Sequence, residues 1–295
     1  MLLRNHGKKK PGNQYKGDEM DIFCLDNKVA VVLGGNGYLG KQFCRVLLGY
    51  GAIVYSLDID TTETAETKHL KKEYSDHFHL IQVDASDKNK LIKVKDEIVK
   101  KEKKVDILVT TTTMKGKDFY MPFEEVSLEG WNIGLLGNLT MPFLCIQTFI
   151  PIMKKQRSGS IINIASHYGL VGNDQRIYIG SNLNKVYVKK DIIKEDNRIY
   201  SHGVYNASKG GIINFTRYLA AYYGEYNIRV NCISPGGITH KGENETFIKK
   251  YSEKVPLGRK ANPDEINGAL IFLASDASTY VTGHNLVVDG GYTIW

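Results

Sequence analysis

Seven short apolar runs rich in β-branched residues, separated by stretches of helical periodicity, limit what this chain can fold into. They are KVAVVLGG (28–35), AIVYSLD (52–58), HLIQVD (79–84), VDILVT (105–110), SIINIA (160–165), IRVNCIS (228–234) and NLVVDGG (285–291). Runs this short and this apolar belong to strands buried on both faces. Helical patterns lie between them at 39–50, within 60–77, at 87–102, from about Asn138 to Met153, after Tyr205 and from Pro263. Strands alternating with helices of this length predict an α/β fold, a parallel sheet with both faces covered. Two polar stretches break the rhythm, 171–202 and 239–256, and both follow strand ends, where open α/β sheets bind ligands.

A chain of 295 residues with 42% hydrophobic and 24% charged residues can bury one large core or two modest ones. No uninterrupted apolar run reaches the ~18 residues of a membrane span, so no membrane partner is expected. Residues 1–19 lack an apolar core, so no secretory signal is read there. Cys24, Cys44, Cys145 and Cys232 are scattered and form no zinc or disulfide pattern, which fits a reducing cytoplasm. Of the net charge of +7, residues 1–19 supply five basic and two acidic side chains. The remaining lysines alternate with acids and form no aromatic-interleaved stripe, so nucleic acid is not an expected partner. The expected organisation is a flexible extension over 1–24, with Met20 as an alternative start, and one domain over 25–295. That domain carries insertions at about 172–202 and 239–256.

The first strand runs into Gly34-Gly35-Asn36-Gly37-Tyr38-Leu39-Gly40, which opens a helix. Glycines let backbone approach a pyrophosphate closely, and the helix N-terminus favours its charge. Asp58 ends the second strand 18 residues after Gly40, where a carboxylate accepts hydrogen bonds from a ribose and repels a 2′-phosphate. That predicts NAD in preference to NADP. Asp84, in VDASD, reads either as an adenine contact or as a cap for the helix near Asp87. In VYNASKGG (204–211), Tyr205 and Lys209 stand one turn apart on one helix face. A nearby ammonium favours the phenolate and lowers the tyrosine pKa, making Tyr205 a usable acid/base.

Together with Asn138 in GNLTMPFLC, Ser166 in SIINIASHYG, NCISPGGI and YVTGHNLVVDGG, these motifs resemble the short-chain dehydrogenase/reductase family, from about residue 25 to the C-terminus. The resemblance implies a Rossmann-like, doubly wound, seven-stranded parallel sheet, a nicotinamide cofactor, and a homotetramer or homodimer. It also implies site roles. Tyr205 is the acid/base, and Lys209 lowers its pKa and holds the nicotinamide ribose. Ser166 hydrogen-bonds the substrate oxygen, and Asn138 positions water behind Lys209. The implied cofactor contacts are Gly34, Asn36, Gly37, Tyr38, Leu39, Gly40, Asp58, Asp84, Ala85, Thr110, Tyr205, Lys209, Pro235, Gly236, Gly237 and Ile238. The reaction is hydride transfer between nicotinamide and a carbinol or carbonyl carbon.

Leu33 replaces the threonine usual in the family, Tyr38 a glycine, and Thr110 to Thr113 an Asn-Asn-Ala-Gly turn. Ser166 and Tyr205 are 39 residues apart, a long separation, and the insertion between them holds Asn173, Asp174, Arg176, Tyr178, Asn182 and Asn184. So polar a loop suits a hydroxyl-rich substrate such as a sugar, or equally an oligomer contact. His167 and Asn173 are the candidate substrate contacts. A weaker similarity to the flagellin-modification and surface-glycan subgroup points the same way. Two alternatives remain: a nucleotide-sugar epimerase or dehydratase with tightly held NAD, suggested by the glycine spacing, and a non-catalytic dinucleotide-binding protein. His77 and His79 share a strand face without a third ligand, so no metal is expected.

Overall fold

The computed structural model describes residues 21–181, Leu183 and residues 199–295. Seven strands, β1 (Val29–Leu33), β2 (Ile53–Asp58), β3 (Phe78–Gln82), β4 (Ile107–Thr110), β5 (Gly159–Ile164), β6 (Ile228–Pro235) and β7 (Asn285–Val288), form one sheet. Their order is β3-β2-β1-β4-β5-β6-β7, and every neighbouring pair is parallel. The chain winds outward from β1 in one direction and from β4 in the other, so the topological switch lies between them. This is the expected Rossmann-like sheet.

All five residues of β1 are buried, because each face meets a different layer of helices. Val29, Val31 and Leu33 join Leu108 and Ile161 against α3 (Lys88–Glu102), α4 (Leu128–Gln156) and α5 (Gly203–Tyr223). Ala30 and Val32 join Val54, Val109 and Ile162 on the other face. There they meet Phe43 and Leu47 of α1 (Tyr38–Gly49), and Leu270 and Ile271 further along the chain. Each such side chain contributes roughly 1.5–3 kcal/mol on burial.

Three boundaries differ from the sequence expectation. The helix read within 60–77 shrinks to α2 (Ala65–Glu73), because Thr64 and Thr67 form a capping box at its start. Helix α4 starts ten residues before Asn138, where Ser127 caps the Gly130 N–H. Gly130, Gly134 and Gly137 mask this first half as a helical pattern, yet close packing requires two of them. A Cβ on Gly134 would lie 2.7 Å from Val204, and one on Gly137 would lie 2.4 Å from Met114. By length and composition α4 could cross a membrane, but its Phe149 and Met153 are fully buried in the core of the fold. Asp21 to Cys24, read as part of an extension over 1–24, form an ordered turn, and the Ile22 carbonyl accepts a hydrogen bond from the Ala277 N–H; residues 1–20 lie outside the described residues.

The register puts the strand ends that matter on one edge. Leu33 stands beside Leu57 and Thr110, Thr110 beside Asn163, and Asn163 beside Cys232. A buried polar chain crosses the sheet just below this edge. The Thr110 hydroxyl donates to Asn163 Oδ1 at 2.7 Å, and Asn163 Nδ2 donates to Thr216 Oγ1 on α5 at 2.9 Å. Asn163→Ala would strand both hydroxyls, so urea denaturation should show a loss of about 2–4 kcal/mol. A loss below about 1 kcal/mol would show the chain of bonds to be dispensable.

Candidate active site

At the β1–α1 turn Gly34 has φ +78°, a conformation that favours glycine. Its N–H donates to the Leu57 carbonyl at 2.8 Å, which ties the turn to β2. A Cβ on Gly40 would lie 2.0 Å from the Gly34 carbonyl oxygen, so only glycine lets α1 start this close to the strand end. Gly37 caps α1 without any side-chain hydrogen bond, and the first turn holds no acidic residue. Asp58 accepts from the backbone N–H groups of Asn36 at 3.0 Å and Asp60 at 3.2 Å. The Asn36 amide donates to the carbonyls of Asp60 and Thr62, while its Oδ1 is buried without a partner among the described residues.

Asp84 accepts from the Ser86 hydroxyl at 2.6 Å and its N–H at 3.0 Å, contacts that hold its carboxyl below the usual range. It does not cap α3; Asp87 does, by accepting from Asn89 and Lys90. Ala85 is buried beside it, and Leu39 packs on the core. Thr110 is buried, and its hydroxyl donates to Asn163. Tyr38, half-exposed, donates to the Thr239 carbonyl at 2.5 Å, with its ring 5.0 Å from that of His240.

Ser166 follows β5 in extended conformation, and its hydroxyl accepts the Tyr168 N–H at 3.2 Å. Across from it, α5 carries half-buried Tyr205 and buried Lys209. Burial raises the Tyr205 pKa above the ordinary phenol value, while the Ser166 hydroxyl draws it down. Burial pushes Lys209 down to about 8. Its Nζ donates to the Ile164 carbonyl at 2.8 Å and lies 5.6 Å from the centre of the Tyr205 ring. The expected lowering of the phenol by Lys209 is therefore corrected: the ammonium points at a carbonyl, and burial dominates. Asn138 sits in a π-helical turn of α4 (Leu136–Thr140), a distortion common at functional sites. Its Nδ2 donates to the Gly134 carbonyl at 2.8 Å, and its Oδ1 is buried without a partner among the described residues. Leu139 packs under Gly211, which joins this turn to α5.

The backbone of 235–238 is tightly framed. Gly236 N–H donates to the Val288 carbonyl at 2.9 Å, Gly237 N–H to the Tyr251 hydroxyl, and Ile238 bridges to Ala261. Tyr251 belongs to α6 (Glu245–Ser252), in the second insertion, and was not foreseen. A buried ion pair between Lys260 and Glu243 secures the same insertion. The two insertions pack on each other. Lys254 pairs with Asp174 at 2.5 Å, and Lys250 donates to the Ile179 carbonyl at 2.8 Å.

His167, the candidate substrate contact, is almost fully buried. Its Nδ1 lies 3.0 Å from the Pro235 carbonyl, its Nε2 lies 3.4 Å from the Tyr251 hydroxyl, and Tyr168 and Tyr292 flank it. Burial lowers its pKa to about 4. Asn173 donates to the Ser201 hydroxyl and keeps a buried Oδ1. Asn182 and Asn184 lie outside the described residues. His202, the extended N-cap residue of α5 three positions before Tyr205, was missed; that short separation was the available signal.

A model of the family described as short chain dehydrogenase matches residues 28–181, and one described as Enoyl-(Acyl carrier protein) reductase matches 185–293. The chain belongs to the short-chain dehydrogenases. This short-chain dehydrogenase is 31% identical over 286 residues to an NAD-dependent glycerol dehydrogenase of Listeria innocua serovar 6a, covering 95% of this chain and 99% of the relative. It is 30% identical to the post-translational flagellin modification protein A of Campylobacter coli, covering 91% of this chain and 99% of that one. A crystal structure of a short chain dehydrogenase from Leptospira borgpetersenii with bound NAD+ superposes with a TM-score of 0.78 at 32% identity, covering 98% and 99% of the two chains. The protein is thus an NAD(P)-dependent oxidoreductase acting on alcohol CH–OH groups.

The residues present fit a nicotinamide dinucleotide. The glycine turn leaves room for a pyrophosphate, α1 presents an uncapped N-terminus to its charge, and Asn36 Oδ1 awaits a donor.

His167 stays neutral in the fold down to about pH 4, whereas the unfolded chain protonates it near 6.5. Between those values the unfolded state binds more protons, so stability rises with pH and is lost on acidification. In denaturant unfolding, His167→Gln should lose about 1–2 kcal/mol less than the parent chain between pH 7 and pH 5. Equal losses would place the acid sensitivity elsewhere.

Proposed function

We propose that this short-chain dehydrogenase interconverts a secondary alcohol and a ketone on a small polyol or sugar derivative, with NAD as the preferred cofactor. The observation that carries the reading is Tyr205 on α5, one turn from the buried Lys209 and hydrogen-bonded by the Ser166 hydroxyl, which offsets part of the rise that burial gives the phenol. Bound NAD accepts or returns a hydride at the nicotinamide ring. In the oxidative direction Tyr205 takes the carbinol proton once its own has left towards Lys209, and in the reductive direction the phenol donates its proton and is refilled by the same route. Ser166 donates to the substrate oxygen where charge develops. Lys209, already close to deprotonation, holds the ribose and passes protons towards the Asn138 turn, where Oδ1 is positioned to accept a water. Asp58, at the end of β2, accepts from ribose hydroxyls and disfavours a 2′-phosphate.

The polyol class is supported by the polar insertion and by the likeness to a glycerol dehydrogenase; a role in flagellin or surface-glycan modification is the narrower form of the same reading. A cytoplasmic location belongs to it as well, since that is where a nicotinamide pool is available. A homo-oligomer is also part of it, supported by the exposed aromatic side chains Phe143 on α4 and Tyr218 and Tyr222 on α5.

The test is oxidation of glycerol and of four- to six-carbon polyols with NAD+, followed as NADH formation. Tyr205→Phe should lose roughly 10²–10⁴ in kcat while binding NADH within a few-fold of the parent. Near-full activity in that variant would defeat the mechanism, and so would turnover without net NADH, which would instead fit an epimerase. In a nicotinamide-fluorescence titration the parent should bind NADH about tenfold or more tightly than NADPH, and Asp58→Ser should narrow the gap. An unchanged preference in Asp58→Ser would remove Asp58 as selector.

A further inference from the structure

The two histidines near the site, His167 buried and His202 half-buried, differ in one respect. His167 spends both ring nitrogens inside the protein, on the Pro235 carbonyl and the Tyr251 hydroxyl. His202 spends neither: Nδ1 and Nε2 are both buried without a hydrogen-bond partner among the described residues. Its ring lies 5.8 Å from that of Tyr205, tilted by 31°. On its other side it lines a cavity of about 400 Å³ with Phe119, Phe123, Val126, Leu128 and Trp131. Phe119 and Tyr120 pack on the imidazole, so an apolar ring would fill this place at least as well. A buried polar group with both of its bonds unmade is costly and rare, and its partner comes from outside the described residues. Next to it in the insertion, Asn173 is tied to Ser201, the residue before His202, and keeps its own Oδ1 buried and unpartnered among the described residues.

Resting on the polyol reading above, we infer that His202 recognises a second hydroxyl of the substrate, beside the carbon whose oxygen Tyr205 serves. Burial, helped by the charge on Lys115, holds the imidazole neutral, with a pKa lowered to about 3. A neutral imidazole has one N–H donor and one bare acceptor nitrogen. A hydroxyl can answer either, whereas a carboxylate only accepts and an ammonium only donates. The chemistry therefore selects a neutral diol unit, not an acidic or cationic neighbour. His202 acts here as a specificity-determining residue and takes no proton from the reacting oxygen.

The test compares kcat/KM for the polyol that the parent chain oxidises best with that for the same compound lacking the hydroxyl next to the reacting carbon. His202→Leu should lower this ratio about tenfold or more, with kcat/KM for the deoxy compound and NADH affinity both within about threefold of the parent. His202→Gln, which keeps a donor and an acceptor, should restore most of the ratio. An unchanged ratio in His202→Leu, or equal losses on both compounds, would overturn the inference and leave His202 a packing residue. A parent chain that binds NADH yet oxidises no polyol would overturn the proposed function, and this inference with it.

Discussion

A parallel sheet has all its strand carboxyl ends on one edge, and the rest of this molecule depends on that alignment. The pairing of Leu33 with Leu57 and Thr110 brings the glycine turn and Asp58 to the same height as Thr111. Continued through Asn163 and Ile233, it brings Ser166 and Pro235 to that height as well. Residues scattered over some 200 positions of sequence thus converge on one edge. The helices supply what the edge cannot: α1 brings a bare N-terminus, and α5 brings a tyrosine and a lysine in step. Burial of both sheet faces makes the edge rigid enough for this, since every strand that forms the site is packed from two sides.

The chemistry of the site is set by desolvation more than by charge pairing. Lys209 and His202 are each held towards their neutral forms chiefly by burial, and the Tyr205 phenol is held protonated by it. A site built this way is poised for proton movement, because small changes in local polarity shift groups that already sit near a balance. The Ser166 hydroxyl is the contact in the chain that pulls the phenol the other way.

Much of this was legible in the sequence because its signals are local. The strand runs, the Gly34–Gly40 turn and the Tyr205–Lys209 spacing each occupy fewer than ten residues, and each dictates its own backbone. What stayed hidden depends on partners far away along the chain. Thr110 looked available until Asn163, 53 residues on, took its hydroxyl. The first half of α4 hid behind three glycines, and the reason for two of them lies in Val204 and Met114, side chains that no periodicity reveals. His167 beside Ser166 drew attention by adjacency, yet the backbone turns it into an aromatic cluster. His202, further from Ser166 in sequence, ends up next to the phenol.

The mutual packing of the two insertions bears on how such enzymes diverge. Asp174 with Lys254, and Lys250 with the 176–179 backbone, make a single cap from segments some 70 residues apart in sequence. Tyr251 of that cap also holds the Gly237 amide, so the cap and the loop at the end of β6 form one mechanical piece. Swapping one insertion for that of a homologue would leave charged side chains facing the wrong neighbour and would loosen the 235–238 backbone. A chimaera that exchanges one of these segments therefore has to move the other with it.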